Sequence, residues 1–214
     1  MANLSGLSQA VIDADWETVD ELVRQALEEG ARPEEIVSEG LIKGMQVVGD
    51  LFKRDELFVP EVLACARAMK AGMDILEPLI SGGEKKAIGI VLLGTVKGDL
   101  HDIGKNLVKM MLEGAGFKVI DLGINVPVET FVSKAAEIKP DIVGMSALLT
   151  TTMSAMKQTI DALEEAGIRK GFKVMVGGAP VTQAFADEIG ADGWAQDAGA
   201  SVDTAKSLLA QAVA

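Results

Sequence analysis

The sequence predicts an α/β domain with a parallel five-stranded sheet, preceded by an all-α bundle of four helices. Two observations predict this fold class. In residues 4–80 the apolar positions recur three and four residues apart, as at Val19, Leu22 and Val23, which is the period of an amphipathic helix. From Ala87 onward, short apolar runs alternate with helical stretches, which is the pattern of parallel strands joined by helical crossovers.

Capping residues mark the helices of the bundle. A short helix is expected at residues 5–12, and Asp15 is a suitable N-cap for the second helix. Pro33 fits the first turn of the next helix, and a long last helix is expected at residues 59–79, with Pro60 in its first turn. Short connections between these helices favour a bundle.

The strands of the second part follow a change in composition. The Gly- and Lys-containing segment 82–86 predicts a linker between a helical domain, residues 1–81, and an α/β domain, residues 87–214. Strands are expected at residues 87–93, 118–122, 141–146, 173–176 and 193–195. In such sheets ligands bind at the carboxyl ends of the strands, so the loops after the strands are the candidate site.

Composition excludes several classes of function. The net charge of −12, without a cluster of Lys and Arg, argues against binding nucleic acid. No apolar run is long enough to span a membrane, and the amino terminus lacks the basic flank of a signal peptide, so we expect a cytoplasmic protein. The single cysteine, Cys65, has apolar neighbours and is expected to be a packed, inert thiol.

The sole histidine of the sequence, His101, follows the first predicted strand and stands two residues after Asp99. A carboxylate that accepts one ring N–H of an imidazole leaves the other nitrogen free to ligate a metal. Taken alone, a histidine at the start of a helix is also typical of an exposed or locally capping side chain. The neighbouring motifs favour the metal ligand.

Those motifs lie in three loops. They are Asp99-x-His101-x-x-Gly104, Ser146-x-Leu148 and Gly177-Gly178, in that order along the chain. Together they resemble the cobalamin-binding signature of methionine synthase and of the corrinoid proteins of methanogenic and acetogenic methyltransferase systems. Residues 49–52 and 57–62 are similar to the helical cap of those proteins, so the likeness covers roughly residues 4–209. It implies a Rossmann-like (flavodoxin-like) cobalamin-binding domain behind a cap domain.

The resemblance implies a role for each site residue. His101 replaces the benzimidazole base of the cofactor as lower axial ligand to cobalt, and Asp99 accepts its other N–H. Thr152 is the hydroxyl member of this relay, at a position where methionine synthase has serine, so this chain departs from that pattern. When cobalt reaches the four-coordinate Co(I) form, the imidazole is expected to leave and the His–Asp pair to hold a proton.

Further residues are implied to contact the cofactor. In the loops these are Gly98, Asp102, Ile103, Gly104, Ser146, Leu148, Thr150, Gly177 and Gly178. The glycines are expected to leave room for a large ligand and its nucleotide tail. The cap residues Phe52, Val59 and Val62 are implied to cover the upper face, although such residues are more often typical of a bundle core and can serve both roles. Lys97 and Lys105 are near enough to meet the cofactor, but we expect them on the solvated surface.

The function implied is that of a corrinoid methyl carrier. A substrate-specific methyltransferase would place a methyl group on Co(I) of bound vitamin B12, and a second methyltransferase would take it from methyl-Co(III) to tetrahydrofolate or a thiol. A reductive activase would be a further partner. The chain alone would have no catalytic residue, because cobalt carries the methyl group. The cap would have to move for transfer, with the linker as its hinge.

Two alternatives share the same cofactor domain. A cobalamin-dependent sensor or regulator uses a similar pair of domains, although no DNA-binding segment is evident here. A B12-binding subunit of a mutase shares the sheet domain but does not need the helical cap. Preference for methylated cobalamin would favour the carrier over either alternative.

Overall fold

The computed structural model describes residues 2–79 and 87–212. The chain divides into two compact units, the first built mainly from the residues before Ala87 and the second mainly from Ala87 onward. The predicted linker, residues 82–86, lies outside the described residues, and the predicted domain limits remain a prediction. No helix in the described ranges is long and apolar enough to cross a membrane.

The first unit is helical. Its α-helices are α1 (Leu4–Ile12), α2 (Trp16–Glu28), α3 (Lys43–Lys53) and α4 (Val59–Leu76). The predicted N-cap of the second helix is confirmed, because the Asp15 carboxylate accepts a hydrogen bond from the Thr18 N–H at 3.1 Å. A 3₁₀ turn at Glu77–Leu79 follows α4, so the last helical stretch reaches the predicted end.

The third helical stretch is less regular than predicted. An α-helical turn at Pro33–Glu35 leads into a π-helical segment, Ile36–Ile42, which continues into α3. Gly40 is buried here, and a Cβ on it would lie 2.5 Å from Leu7 Cδ2. The close approach of this segment to α1 therefore requires glycine, and the wider π turn is a packing feature that apolar periodicity does not reveal.

The core of the first unit consists of aliphatic side chains without solvent exposure. They include Leu7, Val11, Val19, Val23, Ile36, Leu41, Val62 and Leu76. Cys65 is 2% exposed, and its thiol donates to the Ile12 carbonyl at 3.3 Å. Burial raises the pKa of Cys65, so the thiol stays protonated, and the prediction of a packed thiol is confirmed.

The second unit contains a five-stranded sheet in which every neighbouring pair is parallel. The strands are β1 (Ile90–Thr95), β2 (Lys118–Asp121), β3 (Ile142–Ser146), β4 (Lys173–Gly177) and β5 (Gly193–Ala195). The predicted fold class is confirmed. The first strand begins three residues later than predicted, because its pairing with β2 starts at Ile90 and its pairing with β3 starts at Val91.

Helices connect the strands. The connecting helices are α5 (Ile103–Gly114), α6 (Val128–Ile138), α7 (Ser154–Glu165) and α8 (Gln183–Ile189), and α9 (Ala198–Ala212) follows β5. The strand order is β2-β1-β3-β4-β5, so the chain turns to opposite sides of the sheet after β1 and after β3. The loops after these two strands therefore lie at the carboxyl edge where the direction of winding changes, which is where doubly wound sheets bind ligands.

Candidate functional site

The loop after β1 carries the histidine and is held between the ends of its neighbours. Val96 forms an isolated parallel bridge with Val126, and its N–H donates to the Ser146 carbonyl at 3.0 Å. Gly98 has a φ of +86°, which turns the chain back across the strand ends. Beyond this turn the loop presents His101 with its side chain half exposed.

Asp99 connects this loop to the loop after β3. The carboxylate has no solvent exposure. Its Oδ1 lies 2.7 Å from His101 Nδ1 and accepts from the His101 N–H at 3.1 Å. Its Oδ2 accepts from three donors of the other loop, which are Leu148 N–H at 2.8 Å, Leu149 N–H at 3.2 Å and Thr152 Oγ1 at 2.7 Å. One buried carboxyl group therefore holds both loops and the imidazole.

The ionisation of Asp99 sets the tautomer of His101. Burial raises the pKa of Asp99, but hydrogen bonds from Thr152, from the His101 ring and from backbone N–H groups outweigh this effect and hold the pKa well below its ordinary value. Because an ionised carboxylate only accepts, the proton between the two side chains resides on Nδ1. The Nε2 lone pair is then free, which is the form of imidazole that ligates a metal.

Thr152 lies where the sequence places the last member of the relay. Its hydroxyl oxygen is 2.7 Å from Asp99 Oδ2 and 2.8 Å from the Leu149 carbonyl oxygen. A hydroxyl has one hydrogen, so it donates to one of these acceptors at a time. With Asp99 ionised it donates to the carboxylate. Thr152 is therefore hydrogen-bonded to Asp99, and its part in a proton relay remains a prediction.

Apolar side chains surround the histidine and face solvent. Leu100 is 65% and Ile103 is 77% exposed on its own loop, and Leu148 and Leu149 are each 43% exposed on the loop after β3. Exposed aliphatic groups clustered around a polar nitrogen are typical of a site for a large, partly apolar ligand. Ile103 and Leu148 were among the predicted residues, while Leu100 and Leu149 were missed, although both are apolar residues in the predicted loops.

The glycines at the site are present for different physical reasons. A Cβ on Gly104 would meet nothing within 4 Å, so open space lies beside the first turn of α5. A Cβ on Gly178 would lie 1.9 Å from the Ala147 carbonyl oxygen, and its φ of +130° is unfavourable for other residues. Gly178 is thus required by the protein's own backbone, whether or not a nucleotide tail lies there. A Cβ on Gly94 would clash with Phe131 at 2.8 Å, so core packing explains that glycine.

The other predicted loop residues also lie at this edge. Ser146 ends β3, where it pairs with Thr95 and Gly177 of the neighbouring strands. Thr150 is exposed in the loop that follows, and the exposed Asp102 carboxylate accepts from the Asn106 side chain at 3.1 Å. The predicted loop residues are therefore brought to one edge of one sheet, and their contacts with a ligand remain a prediction.

The predicted cap residues belong to the first unit. Phe52 lies near the end of α3, and Val59 and Val62 lie in the first turn of α4. Phe52 and Val59 are partly exposed, whereas Val62 has no exposed surface and belongs to the core of its own unit. Their role above a cofactor remains a prediction.

Lys105 is buried, which contradicts the expectation that it lies on the solvated surface. It is 3% exposed, and its ammonium group lies 2.6 Å from both carboxylate oxygens of Asp121 and 2.8 Å from Asn106 Oδ1. The expected solvated position is wrong for Lys105, while Lys97 is exposed as expected. The signal was present in the sequence, because Lys105 stands seven residues before the buried Leu112 and so shares its helix face.

The donor set indicates which kind of metal fits. Within residues 2–79 and 87–212 there is no group of three or more His, Cys, Asp or Glu side chains that could hold an ion. One imidazole cannot by itself retain a bare transition-metal ion, which needs several protein ligands. A half-exposed imidazole with an oriented Nε2, set among exposed aliphatic groups, fits a metal that brings its other ligands in a macrocycle.

Comparisons with known proteins agree with this interpretation. Residues 89–203 and residues 4–77 match two family models, each described as a B12 binding domain. The chain is 49% identical to a corrinoid protein of Desulfitobacterium hafniense, over 98% of each chain. It is 47% identical to dimethylamine corrinoid protein 3 of Methanosarcina acetivorans, over 98% of this chain and all of the relative.

Solved structures show the same likeness. A cobalamin-binding protein from Desulfitobacterium hafniense is 34% identical, with a TM-score of 0.82, over 97% of this chain and 99% of the other. A chain of the methanol:cobalamin methyltransferase complex from Methanosarcina barkeri is 31% identical, with a TM-score of 0.87, over 97% of this chain and 79% of the other. This chain therefore belongs to the family of cobalamin-binding corrinoid proteins.

Proposed function

We propose that this chain carries methyl groups between two methyltransferases on a bound cobalamin whose lower ligand is His101. The single observation that carries the proposal is the pairing of His101 Nδ1 with the buried Asp99 carboxylate, which leaves Nε2 available at an exposed edge of the sheet. Likeness along nearly the whole chain to dimethylamine and trimethylamine corrinoid proteins supports methyl transfer as the purpose of that ligation.

The residues of the second unit bind and orient the cofactor in this proposal. When bound, cobalamin supplies a cobalt centre that accepts a methyl group in its low-valent form and releases it to an acceptor. His101 ligates, and Asp99 strengthens the ligand by accepting the Nδ1 proton. Gly98, Asp102, Ile103, Gly104, Ser146, Leu148, Thr150, Gly177 and Gly178 line the space for the ring and its nucleotide tail.

Proton storage is assigned to the same residues. As the resemblance implies, the pair of His101 and Asp99 would hold a proton when the imidazole does not ligate. Thr152, whose Oγ1 is 2.7 Å from Asp99 Oδ2, is assigned to the same relay. Ligation and protonation are therefore coupled in the proposed cycle.

The proposal extends to the first unit and to partners. Phe52 and Val59 are assigned to an apolar cap that excludes water from the reactive face, and the buried Val62 is assigned to the core that supports them. A substrate-specific methyltransferase, a second acceptor methyltransferase and a reductive activase are the proposed partners. We place the cycle in the cytoplasm, whose reducing conditions suit low-valent cobalt. The domains are proposed to be residues 1–81 and 87–214, joined by residues 82–86.

A reconstitution experiment tests the proposal. The purified chain is loaded with hydroxocobalamin, reduced, and mixed with trimethylamine or dimethylamine and the corresponding methyltransferase. The account predicts that the absorption spectrum of methylated cobalamin appears and then disappears when an acceptor methyltransferase with its thiol or tetrahydrofolate is added. Tight retention of adenosylcobalamin, without methylation by either amine, would instead indicate the mutase or sensor alternative.

A further inference from the structure

A second set of hydrogen bonds holds the backbone on which His101 stands. Thr95, the last residue of β1, has no exposed surface, and its hydroxyl donates to the His101 carbonyl at 3.0 Å. This bond fixes the main chain at the histidine itself, whereas Asp99 fixes the ring and the His101 N–H. The carbonyl would otherwise lose its partner beside a buried strand end, which is unfavourable.

Asn125 braces the same loop from the segment after β2. Its Oδ1 accepts from the Gly98 N–H at 2.7 Å, and its own N–H donates to the Asp99 carbonyl at 2.9 Å. Asn125 has a φ of +51°, a left-handed conformation that asparagine adopts more readily than most residues. The two bonds hold the backbone immediately before His101 at a fixed distance from the β2 edge.

The contacts of Thr95 and Asn125 fix the position of the His101 backbone, which the hydrogen bond between Asp99 and the His101 ring does not fix. A hydrogen bond to Nδ1 sets the direction of the ring, but the position of Nε2 also depends on where the backbone of the residue lies. Ligation of a metal held in a rigid macrocycle tolerates displacement of only about 0.5 Å and tilts of about 10–20°. Support for the backbone therefore contributes to ligation as directly as support for the ring.

We propose that Thr95 and Asn125 are positioning residues that hold the backbone of His101 for axial ligation of cobalt. The proposal rests on the proposed function, because it assumes that His101 is the ligand. Neither side chain is expected to touch the metal. Both act through the main chain of residues 98–101.

The test compares variants, each prepared with nitrogen-15 histidine, by the electron paramagnetic resonance spectrum of the bound Co(II) form, in which a histidine nitrogen gives a doublet and the benzimidazole nitrogen of the cofactor gives a triplet. Thr95→Val removes the hydroxyl with little change of shape, and Thr95→Ser restores it. Asn125→Gly removes the amide and keeps the left-handed backbone. Thr159→Val is the matched control, because Thr159 is also buried and its hydroxyl donates to the Ala155 carbonyl within α7.

We expect the ratio of histidine-ligated to unligated cobalt to fall about fivefold in Thr95→Val and in Asn125→Gly, which is the effect of one lost hydrogen bond. Thr95→Ser and Thr159→Val should retain the wild-type ratio. The inference would be overturned if Asn125→Gly kept the wild-type ratio of ligated to unligated cobalt and Thr95→Val either kept it too or failed to fold. The proposed function would then still stand. An equal fall in Thr159→Val would overturn it as a general loss of stability. Absence of a His101 nitrogen in the wild type would overturn the proposed function and this inference together.

Discussion

At the scale of single residues, glycines of similar appearance in the sequence have different roles. Gly178 is required because a Cβ would overlap the Ala147 carbonyl, whereas a Cβ on Gly104 would enter open space. The sequence motifs include both glycines and do not show which one folding requires and which one ligand binding requires. The structure distinguishes the two glycines, because only a Cβ on Gly178 would clash with the protein's own backbone.

The two glycines can be tested as a pair. Gly178→Ala should lower the free energy of unfolding of the cofactor-free protein by about 2 kcal/mol or more, since the backbone must shift. Gly104→Ala should leave that free energy unchanged or raise it by up to about 1 kcal/mol, because alanine favours the helix. Gly104→Ala should also weaken hydroxocobalamin binding about tenfold through steric overlap. Urea unfolding and spectroscopic titration measure these effects, and equal stability of the two variants would contradict them.

Thr152 provides a second test at this scale. Thr152→Val removes the hydroxyl donor to the buried Asp99 and should lower the free energy of unfolding by about 1–2 kcal/mol. Thr152→Ser keeps the donor and should cost less than about 1 kcal/mol. The comparison is made by urea unfolding of the cofactor-free protein. A larger loss in Thr152→Ser than in Thr152→Val would show that the methyl group, rather than the hydroxyl, is the important part.

At the scale of elements, a buried ion pair joins the start of α5 to the end of β2. The side chain of Lys105 is 2% exposed and that of Asp121 is 20% exposed. Asp121 also accepts from the Gly123 N–H at 2.9 Å, so the pair orders the segment that leads to Asn125. The helix that follows the histidine loop is thus attached to the neighbouring strand by charge as well as by apolar packing.

Breaking this pair should be costly. Lys105→Met leaves the Asp121 carboxylate without its main partner and should lower the free energy of unfolding by about 3 kcal/mol. The matched control is Lys157→Met, which removes an exposed ion pair with Asp161 within α7 and should cost less than about 1 kcal/mol. Urea unfolding at neutral pH measures both variants. Similar losses in the two would refute a special role for the buried pair.

The same pair predicts a dependence on pH. Burial raises the pKa of Asp121. Hydrogen bonds from Lys105 and the Gly123 N–H, with the charge of Lys109, lower this pKa by more than burial raises it, so the net shift is downward. A carboxyl group with a lowered folded pKa stabilises the protein above its unfolded pKa of about 4, and this contribution is lost as the pH falls through the folded value. The stability difference between wild type and Asp121→Asn should therefore shrink on acidification below about pH 4. A difference that grows there would contradict the assignment.

Elements differ in how far the sequence could predict them. The strands β1, β3 and β4 and their loops were predicted because buried parallel strands are continuous apolar runs, whereas the edge strands β2 and β5 are only partly buried and have a weaker pattern. The π segment at Ile36–Ile42 was not predicted, since it depends on how Gly40 packs against α1. The helix face of Lys105 indicated its burial, but its partner Asp121 could not be predicted, because Asp121 is distant in the chain and becomes a neighbour only in the fold.

At the scale of the whole molecule, the family and cofactor were predictable from three short motifs because the sheet topology brings their loops to one edge. The loops after β1 and β3 meet through the Asp99 carboxylate, and the loop after β4 adjoins them through the Ala147 N–H bond to Gly177. The sequence could not show the support from Thr95 and Asn125, because it depends on backbone geometry. Relatives named for dimethylamine and trimethylamine agree with the predicted class of methyl-carrying corrinoid protein.

The ligation of cobalt by His101 can be measured directly, because the chain contains a single histidine. The protein is prepared with nitrogen-15 histidine, loaded with ordinary hydroxocobalamin and reduced to the Co(II) form. The account predicts that the triplet splitting from an axial nitrogen-14 in unlabelled protein becomes a doublet in the labelled protein and that the histidine splitting disappears in His101→Ala. A triplet that persists in the labelled protein would show that the benzimidazole of the cofactor remains the ligand and would contradict the account.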